Sequence, residues 1–343
     1  MKALVLVEYG KLVLEEVPKP SAQPGEVLVQ VKACGICGSD VHGMDGSTGR
    51  RRPPIIMGHE AAGSIAEIGA GVTGWNVGDR VTFDSTIYCG HCDFCQQGKV
   101  NLCNQRRVLG VSCEDYRQDG AFADYVAVPS PILYRIPDNL SLEHAALIEP
   151  FSIAFHAARR TPLTLNDTAV VVGAGMIGLA LIQTLRLAGC GRVIAVDMIP
   201  EKLALAKRMG ADDTVNGADG RALEEINRLT NGRGAEVVFE AVGVAVTVDL
   251  AIRCVRKGGR VTMVGNVSPK VDLPLQVAVT RELTLYGSCA SAGEYPACLD
   301  MMARGSIQAA PLLSAVAPLT EGASWFDRLY RKEPGLLKVV LAP

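Results

Sequence analysis

Short apolar runs dominate the chain up to about residue 150. Residues 3–7, 26–33 and 63–68 are rich in β-branched and apolar side chains, with Gly and Pro between them. A further run, 77–83, follows a turn carrying Gly69, Gly71 and Gly74. This half reads as strands and loops, with no long amphipathic helix before residue 142. Near Pro150 the pattern changes. An apolar run at 167–172 leads into a glycine-rich turn, and a helical stretch continues to Gly189. Strands at 192–197, 212–215, 236–242, 260–264 and 283–286 then alternate with helices at 200–209, 221–229 and 247–256. Pro200 stands at a favoured first helical position. Such alternation predicts a parallel sheet with crossover helices. Residues 289–343 are mixed and end in an apolar strand, 337–341, expected to pack back on the first domain. No internal repeat or low-complexity tract is present.

The length of 343 residues allows two domains and a large core. Hydrophobic residues make up 48% and charged residues 20%, with a net charge of −2. That balance gives no basic surface for nucleic acid or an anionic membrane. No apolar run approaches a membrane span and the start does not read as a signal peptide, so a cytoplasmic location is the expectation.

There are 11 cysteines, an odd and clustered set that points to metal rather than a disulfide framework. Cys89, Cys92, Cys95 and Cys103 form C-x2-C-x2-C-x7-C. Four soft thiolates in one loop match a closed tetrahedral zinc site, which locks a loop and does no chemistry. His91 lies among them, but four thiolates already complete the tetrahedron. Cys34, Cys113, Cys190, Cys254, Cys289 and Cys298 are expected to be small buried thiols.

Gly173-Ala174-Gly175-Met176-Ile177-Gly178 has the context of a dinucleotide fingerprint: a strand before, a helix after, and Asp197 ending the next strand. The helix N-terminus would offer N–H donors to a pyrophosphate. Asp197 could accept from ribose hydroxyls and repel a 2′-phosphate, and no arginine follows it directly. NAD is therefore expected over NADP. A helix-capping role before Pro200 is the competing reading for Asp197.

A second metal set is open in character. Cys37, His59, Glu60 and Glu149 combine sulfur, imidazole and carboxylate, the donors of a catalytic zinc site with one free position. A buried thiol, a satisfied histidine and surface carboxylates are the bland alternative, since spacing alone does not join these segments. Cys34 and Cys37 also form a C-x2-C, open to reading as a redox pair or half of another zinc knot. His144 and His156 read as structural.

In their order along the chain, GICGSDVH at 35–42, GHEAAG at 58–63, the four-cysteine lobe and VVVGAGMIG at 170–178 resemble the zinc-dependent medium-chain dehydrogenases. The resemblance covers essentially the whole chain, and LIEPFSIAFHA at 147–157 is most similar to the sorbitol and polyol branch. It implies a Rossmann doubly wound parallel sheet inserted into a β-rich, partly open barrel of chaperonin-10 type. The catalytic zinc-binding domain would span 1–150 with a structural zinc lobe at 85–105, the NAD-binding domain 151–288, and the return 289–343. It selects Cys37 over Cys34, and makes Cys37, His59 and Glu60 ligands of a catalytic zinc, with Glu149 bound directly or through water. Two zinc ions per chain follow. It places nicotinamide beside the zinc in an interdomain cleft and Lys202 near the adenosine ribose. It also implies a homo-oligomer, tetramer or dimer, and the apolar run 283–286 would leave a sheet edge able to pair with another copy.

The implied reaction transfers hydride from a zinc-bound secondary alcohol, a polyol or related sugar alcohol, to NAD. Zinc can lower the pKa of bound water from 15.7 to about 7, and an alcohol should respond similarly. Ser39 and His42 would relay the proton outward, and Asp40 would accept from His59 and orient it. One departure stands out. Many sorbitol dehydrogenases carry an Arg–Tyr pair where this chain reads Ser288-Cys289-Ala290-Ser291-Ala292. A threonine-type amino-alcohol dehydrogenase and a sugar-alcohol-phosphate dehydrogenase are alternatives, as is a zinc regulatory protein that binds NAD. Arg50, Arg51 and Arg52 read as a solvated loop, with recognition of a substrate phosphate as the sharper option.

Overall fold

A computed structural model describes residues 1–343. The chain divides into two compact units, one of Met1–Glu149 with Ser291–Pro343 and one of Pro150–Ala290.

The first unit is built around the strand Glu26–Gly35. Its valines and leucines are covered on both faces, as a central strand requires. It pairs antiparallel with Glu60–Ile68, Tyr125–Pro129 and Lys338–Ala342 inside a seven-stranded sheet. The last of these neighbours comes from the far end of the chain. It carries a parallel partner, Leu313–Pro318. A three-stranded sheet of Lys2–Glu8, Lys11–Glu16 and Ile55–Ile56 lies alongside. Leu4, Leu6, Phe83, Phe122, Phe326 and Leu341 share one core. Phe122 meets Phe326 edge to face, with centroids 5.5 Å apart, which anchors the C-terminal helix Gly322–Tyr330.

Two local outcomes differ from the pattern reading. The strand expected from residue 77 begins at Arg80 instead, because Gly78 turns with φ of 93° and leaves Val77 exposed. Residues Gly38–Gly43 form a short helix with Cys37 as its N-cap, in a half that reads as strands and loops.

The second unit holds a six-stranded parallel sheet. From edge to edge its strands are Asp213–Asn216, Arg192–Asp197, Thr168–Val172, Ala235–Glu240, Val255–Met263 and Thr284–Gly287. In chain order that is 3-2-1-4-5-6, the doubly wound arrangement, whose order reverses beside the first strand. Val170, Val172, Ile194, Val196, Val238 and Val261 form its core. Helices Met176–Leu187, Pro200–Arg208, Ala222–Leu229 and Ala245–Cys254 make the crossovers. The strand Thr284–Gly287 is a sheet edge, with its outer residues exposed.

Truncating Phe326 to Ala removes the ring that seats the C-terminal helix on Phe122. A loss of about 3–5 kcal/mol in urea unfolding is expected for a fully buried Phe. A loss below 1 kcal/mol would show that this helix adds little to the first unit.

Candidate metal centre and cofactor loop

Three elements bring the first donor set together. The N-cap of the helix Gly38–Gly43 presents Cys37, the turn before the strand Glu60–Ile68 presents His59, and the first residue of that strand is Glu60. One ligand atom from each lies within 4.8 Å of the others. Glu149 stands in the first turn of the helix Ile148–Arg160, outside that trio. Burial pushes its carboxyl up to about 7, with Glu60 and Asp84 adding to the rise and His59 and Lys338 opposing it.

The electrostatics suit a cation. Burial alone would pull the His59 imidazole down, but Asp40 and Cys37 beside it more than reverse that and hold it well above its ordinary value. Positive charge is favoured where these donors converge. Glu60 is buried, and both of its oxygens accept from Lys338 Nζ, at 2.8 and 2.7 Å. The same ammonium donates to the Ile36 carbonyl at 3.0 Å. Gly35 makes this possible: a Cβ there would stand 2.4 Å from Glu60 Oε2. Burial opposes the charge on Lys338, and the neighbouring Glu60 and Cys37 hold it above the ordinary lysine range. The donor set of thiolate, imidazole and carboxylate fits a zinc ion with an open position.

Cys34 is fully buried in the core, and burial holds its thiol well above the ordinary value. It takes no part in the trio. Asp40 was expected to accept from His59. The carboxylate Oδ1 does face His59 Nδ1, but at 3.4 Å. That oxygen instead accepts two hydrogen bonds from Arg51, at 3.0 and 2.8 Å. Burial would raise Asp40; the cations of His59 and Arg51 hold it below the carboxylate range. Ser39 and His42 lie three residues apart on the helix Gly38–Gly43, both exposed and on one side of it.

The four-cysteine lobe also converges. The sulfurs of Cys89, Cys92, Cys95 and Cys103 lie within 4.8 Å of one another. Backbone N–H groups of Cys89 and Gln105 donate to the Cys103 sulfur at 3.2 and 3.3 Å, and that of Cys92 to Cys89 at 3.4 Å. The Asn104 and Cys95 amides pull the Cys92 thiol down to about 6. His91 Nδ1 meets the Cys89 carbonyl at 2.9 Å, and His91 is not among the converging donors. Of the remaining cysteines, Cys190, Cys254 and Cys298 are buried, Cys113 is half-buried and Cys289 is exposed. The expectation of buried thiols therefore fails in part at Cys113 and outright at Cys289, which lies on the segment just after the sheet-edge strand Thr284–Gly287.

In the second unit, Gly173-Ala174-Gly175 follows the strand Thr168–Val172, and Gly175 is the N-cap of the helix Met176–Leu187. Met176, Ile177 and Gly178 form its first turn. A Cβ on Gly178 would stand 1.8 Å from the Gly173 carbonyl, so only glycine lets helix and strand approach this closely. A Cβ on Gly175 would meet nothing within 4 Å. Asp197 Oδ2 accepts from the Ala174 N–H at 2.8 Å and Oδ1 from the Ile199 N–H at 3.0 Å. The same carboxylate thus braces the glycine turn and the start of the next helix, where Lys202 stands half-buried in the first turn. Glu240, also buried, caps the N–H groups of Val242 and Gly243 at the end of the neighbouring strand.

Sequence reasoning missed Lys338 and Glu240, and named Arg51 without its buried partners. A lone lysine inside an apolar strand was the only available sign of Lys338.

The alcohol dehydrogenase GroES-like domain model matches residues 23–138, and the zinc-binding dehydrogenase model matches residues 177–304. A sorbitol dehydrogenase of Bacillus subtilis is 36% identical, over 100% of this chain and 97% of its own length. A zinc-binding dehydrogenase from Sinorhizobium meliloti, solved with NADP, is 34% identical with a TM-score of 0.90, covering 100% and 99% of the two chains. An Escherichia coli alcohol dehydrogenase solved with NADH is 31% identical with a TM-score of 0.92, again covering 100% and 99%. Fold and donor set thus define a dehydrogenase of two-unit, nicotinamide-dependent type. The chain belongs to the zinc-type medium-chain dehydrogenases, in their polyol branch. An alcohol dehydrogenase is what these comparisons support, rather than an NAD-binding regulatory protein.

Changing Lys338 to Met leaves Glu60 buried without its cation. Removing one partner of a buried pair costs roughly 3–5 kcal/mol. The metal-free variant is expected to lose that much in urea unfolding, and added zinc is expected to recover part of it by giving Glu60 another cation. Unchanged stability in both forms would show that the pair is dispensable.

Proposed function

We propose that this protein oxidises a secondary alcohol, a polyol or related sugar alcohol, to the ketone with NAD, using zinc held by Cys37, His59 and Glu60. The convergence of those three donors within 4.8 Å carries the reading. Glu149 would bind the ion at some stage of the cycle or hold it through water. When bound, zinc acts as a Lewis acid that makes an alcohol oxygen acidic enough to give up its proton near neutral pH. Ser39 takes that proton and His42 passes it to solvent; both are exposed, as an exit route requires. Cys89, Cys92, Cys95 and Cys103 hold a second, structural zinc, giving two ions per chain.

Gly173, Gly175, Met176, Ile177 and Gly178 cradle the pyrophosphate, and Asp197 with Lys202 receives the adenosine ribose. One similar structure was solved with NADP and another with NADH, so the preference for NAD rests on the Asp197 carboxylate. It repels a 2′-phosphate, and Met198, Ile199 and Pro200 offer no arginine to hold one. The domains are assigned as catalytic 1–150, with its lobe at 85–105, NAD-binding 151–288, and a catalytic return 289–343. A cytoplasmic homotetramer, or a dimer, is the expected working form. No helix is long and apolar enough to cross a membrane.

The absent Arg–Tyr pair argues for a polyol or simple secondary alcohol other than sorbitol. In that segment Ser291 is buried and donates to Asp84 at 2.8 Å.

Metal analysis is expected to find two zinc ions per chain. NADH absorbance at 340 nm should rise with a diol or polyol and stop when the less tightly held ion is chelated. Turnover by verified metal-free protein would end the zinc reading; turnover only with threonine or only with a sugar phosphate would move the substrate class. Asp197→Ala is expected to weaken NAD binding tenfold or more and narrow the preference over NADP. An unchanged ratio of kcat/KM for the two cofactors would remove Asp197 from selectivity.

A further inference from the structure

Arg51 is the surprise of its cluster. Arg50 and Arg52 are exposed, whereas Arg51 is 4% exposed. Its backbone bridges Ser112: the Arg52 N–H donates to the Ser112 carbonyl at 3.0 Å and the Ser112 N–H to the Arg50 carbonyl at 3.3 Å. The side chain passes inward where Gly43 leaves room, since a Cβ on Gly43 would stand 2.5 Å from Arg51 Cγ. Nε and Nη2 donate to Asp40 Oδ1 at 3.0 and 2.8 Å, Nη2 also donates to Ser39 Oγ at 3.2 Å, and Nη1 donates to the Arg50 carbonyl at 3.0 Å. A guanidinium so occupied is neither a solvated loop residue nor free to bind a substrate phosphate.

We propose that Arg51 is a positioning residue that couples the orientation of His59, through Asp40, to the orientation of the Ser39 hydroxyl. This rests on the metal reading above. Asp40 Oδ1 lies 3.4 Å from His59 Nδ1, and Arg51 fixes where that oxygen sits. The partner of a metal-ligating histidine sets its ring orientation. Ser39 Oγ accepts from the guanidinium, which leaves its own hydrogen to point elsewhere and fixes the rotor. Only a planar fork spans both groups; a lysine ammonium is a point charge without that geometry.

Arg51→Gln and Arg51→Lys should be compared with the native holoenzyme in two readouts. The first is kcat and KM for a neutral polyol, a sugar phosphate and NAD. The second is the visible absorption of protein with cobalt in the catalytic site. Both variants are expected to lose kcat by about ten- to a hundredfold, the scale of a small misplacement of reacting groups. KM for NAD should hold, the cobalt bands should shift, and lysine should not rescue. Should Arg51→Gln fail to fold, Arg51→Lys, which keeps a cation beside Asp40, carries the comparison by itself. Near-native kcat with superimposable cobalt spectra overturns the proposal, even if the melting temperature falls. So does a raised KM confined to the sugar phosphate. A native protein that takes up no cobalt at this site would sink the metal reading itself, which an unchanged variant spectrum would not.

Discussion

The pairing of Lys338 with Glu60 is the constraint on which the first unit depends. A buried ammonium donates to both carboxylate oxygens and to the Ile36 carbonyl, joining residues 278 positions apart. The strand that carries Lys338 pairs with the end of Glu26–Gly35, and the Ile36 N–H donates to the Val339 carbonyl. The segment that presents Cys37 is thereby held from the far end of the chain. Two charges in a core are tolerated only when each satisfies the other. Here the arrangement also sets a carboxylate beside a thiol and an imidazole, the donor types a zinc ion takes.

Arg51 and Asp40 apply the same logic one layer further out. The pair places a cation and an anion behind His59, with the spare donors of the guanidinium reaching Ser39. The trio, the Asp40 carboxylate behind it and the exposed Ser39 thus connect to two buried cations as well as to the loop that carries the donors. In the second unit, one carboxylate has comparable reach. Asp197 holds the Ala174 amide across the glycine turn and the Ile199 amide at the next helix start. The competing capping role and the ribose role therefore concern the same group.

The doubly wound sheet was legible because its signals are local. Alternating runs of valine and amphipathic helix mark each crossover, and the strands fell within a few residues of their expected bounds. The four-cysteine lobe was legible for the same reason: its ligands lie within fifteen residues of sequence. The trio of Cys37, His59 and Glu60 was less so. Cys37 and the His59–Glu60 pair are separated by strands and turns, and only the motif resemblance joined them. In the arginine cluster the solvated reading holds for Arg50 and Arg52 and fails at Arg51, because a run of three charges gives no sign that its middle member turns inward through the gap at Gly43.

By itself the sequence determined the alternation of strand and helix, the glycine turn, and the types of donor available to a metal. Those depend on backbone propensity, steric limits and side-chain chemistry over short spans. Tertiary structure decided which charges are buried, which partner each one meets, and which cysteines are left inert. Burial is a property of distant segments packing together, and it is burial that turns Lys338, Arg51 and Asp40 from ordinary charged residues into the frame of the site.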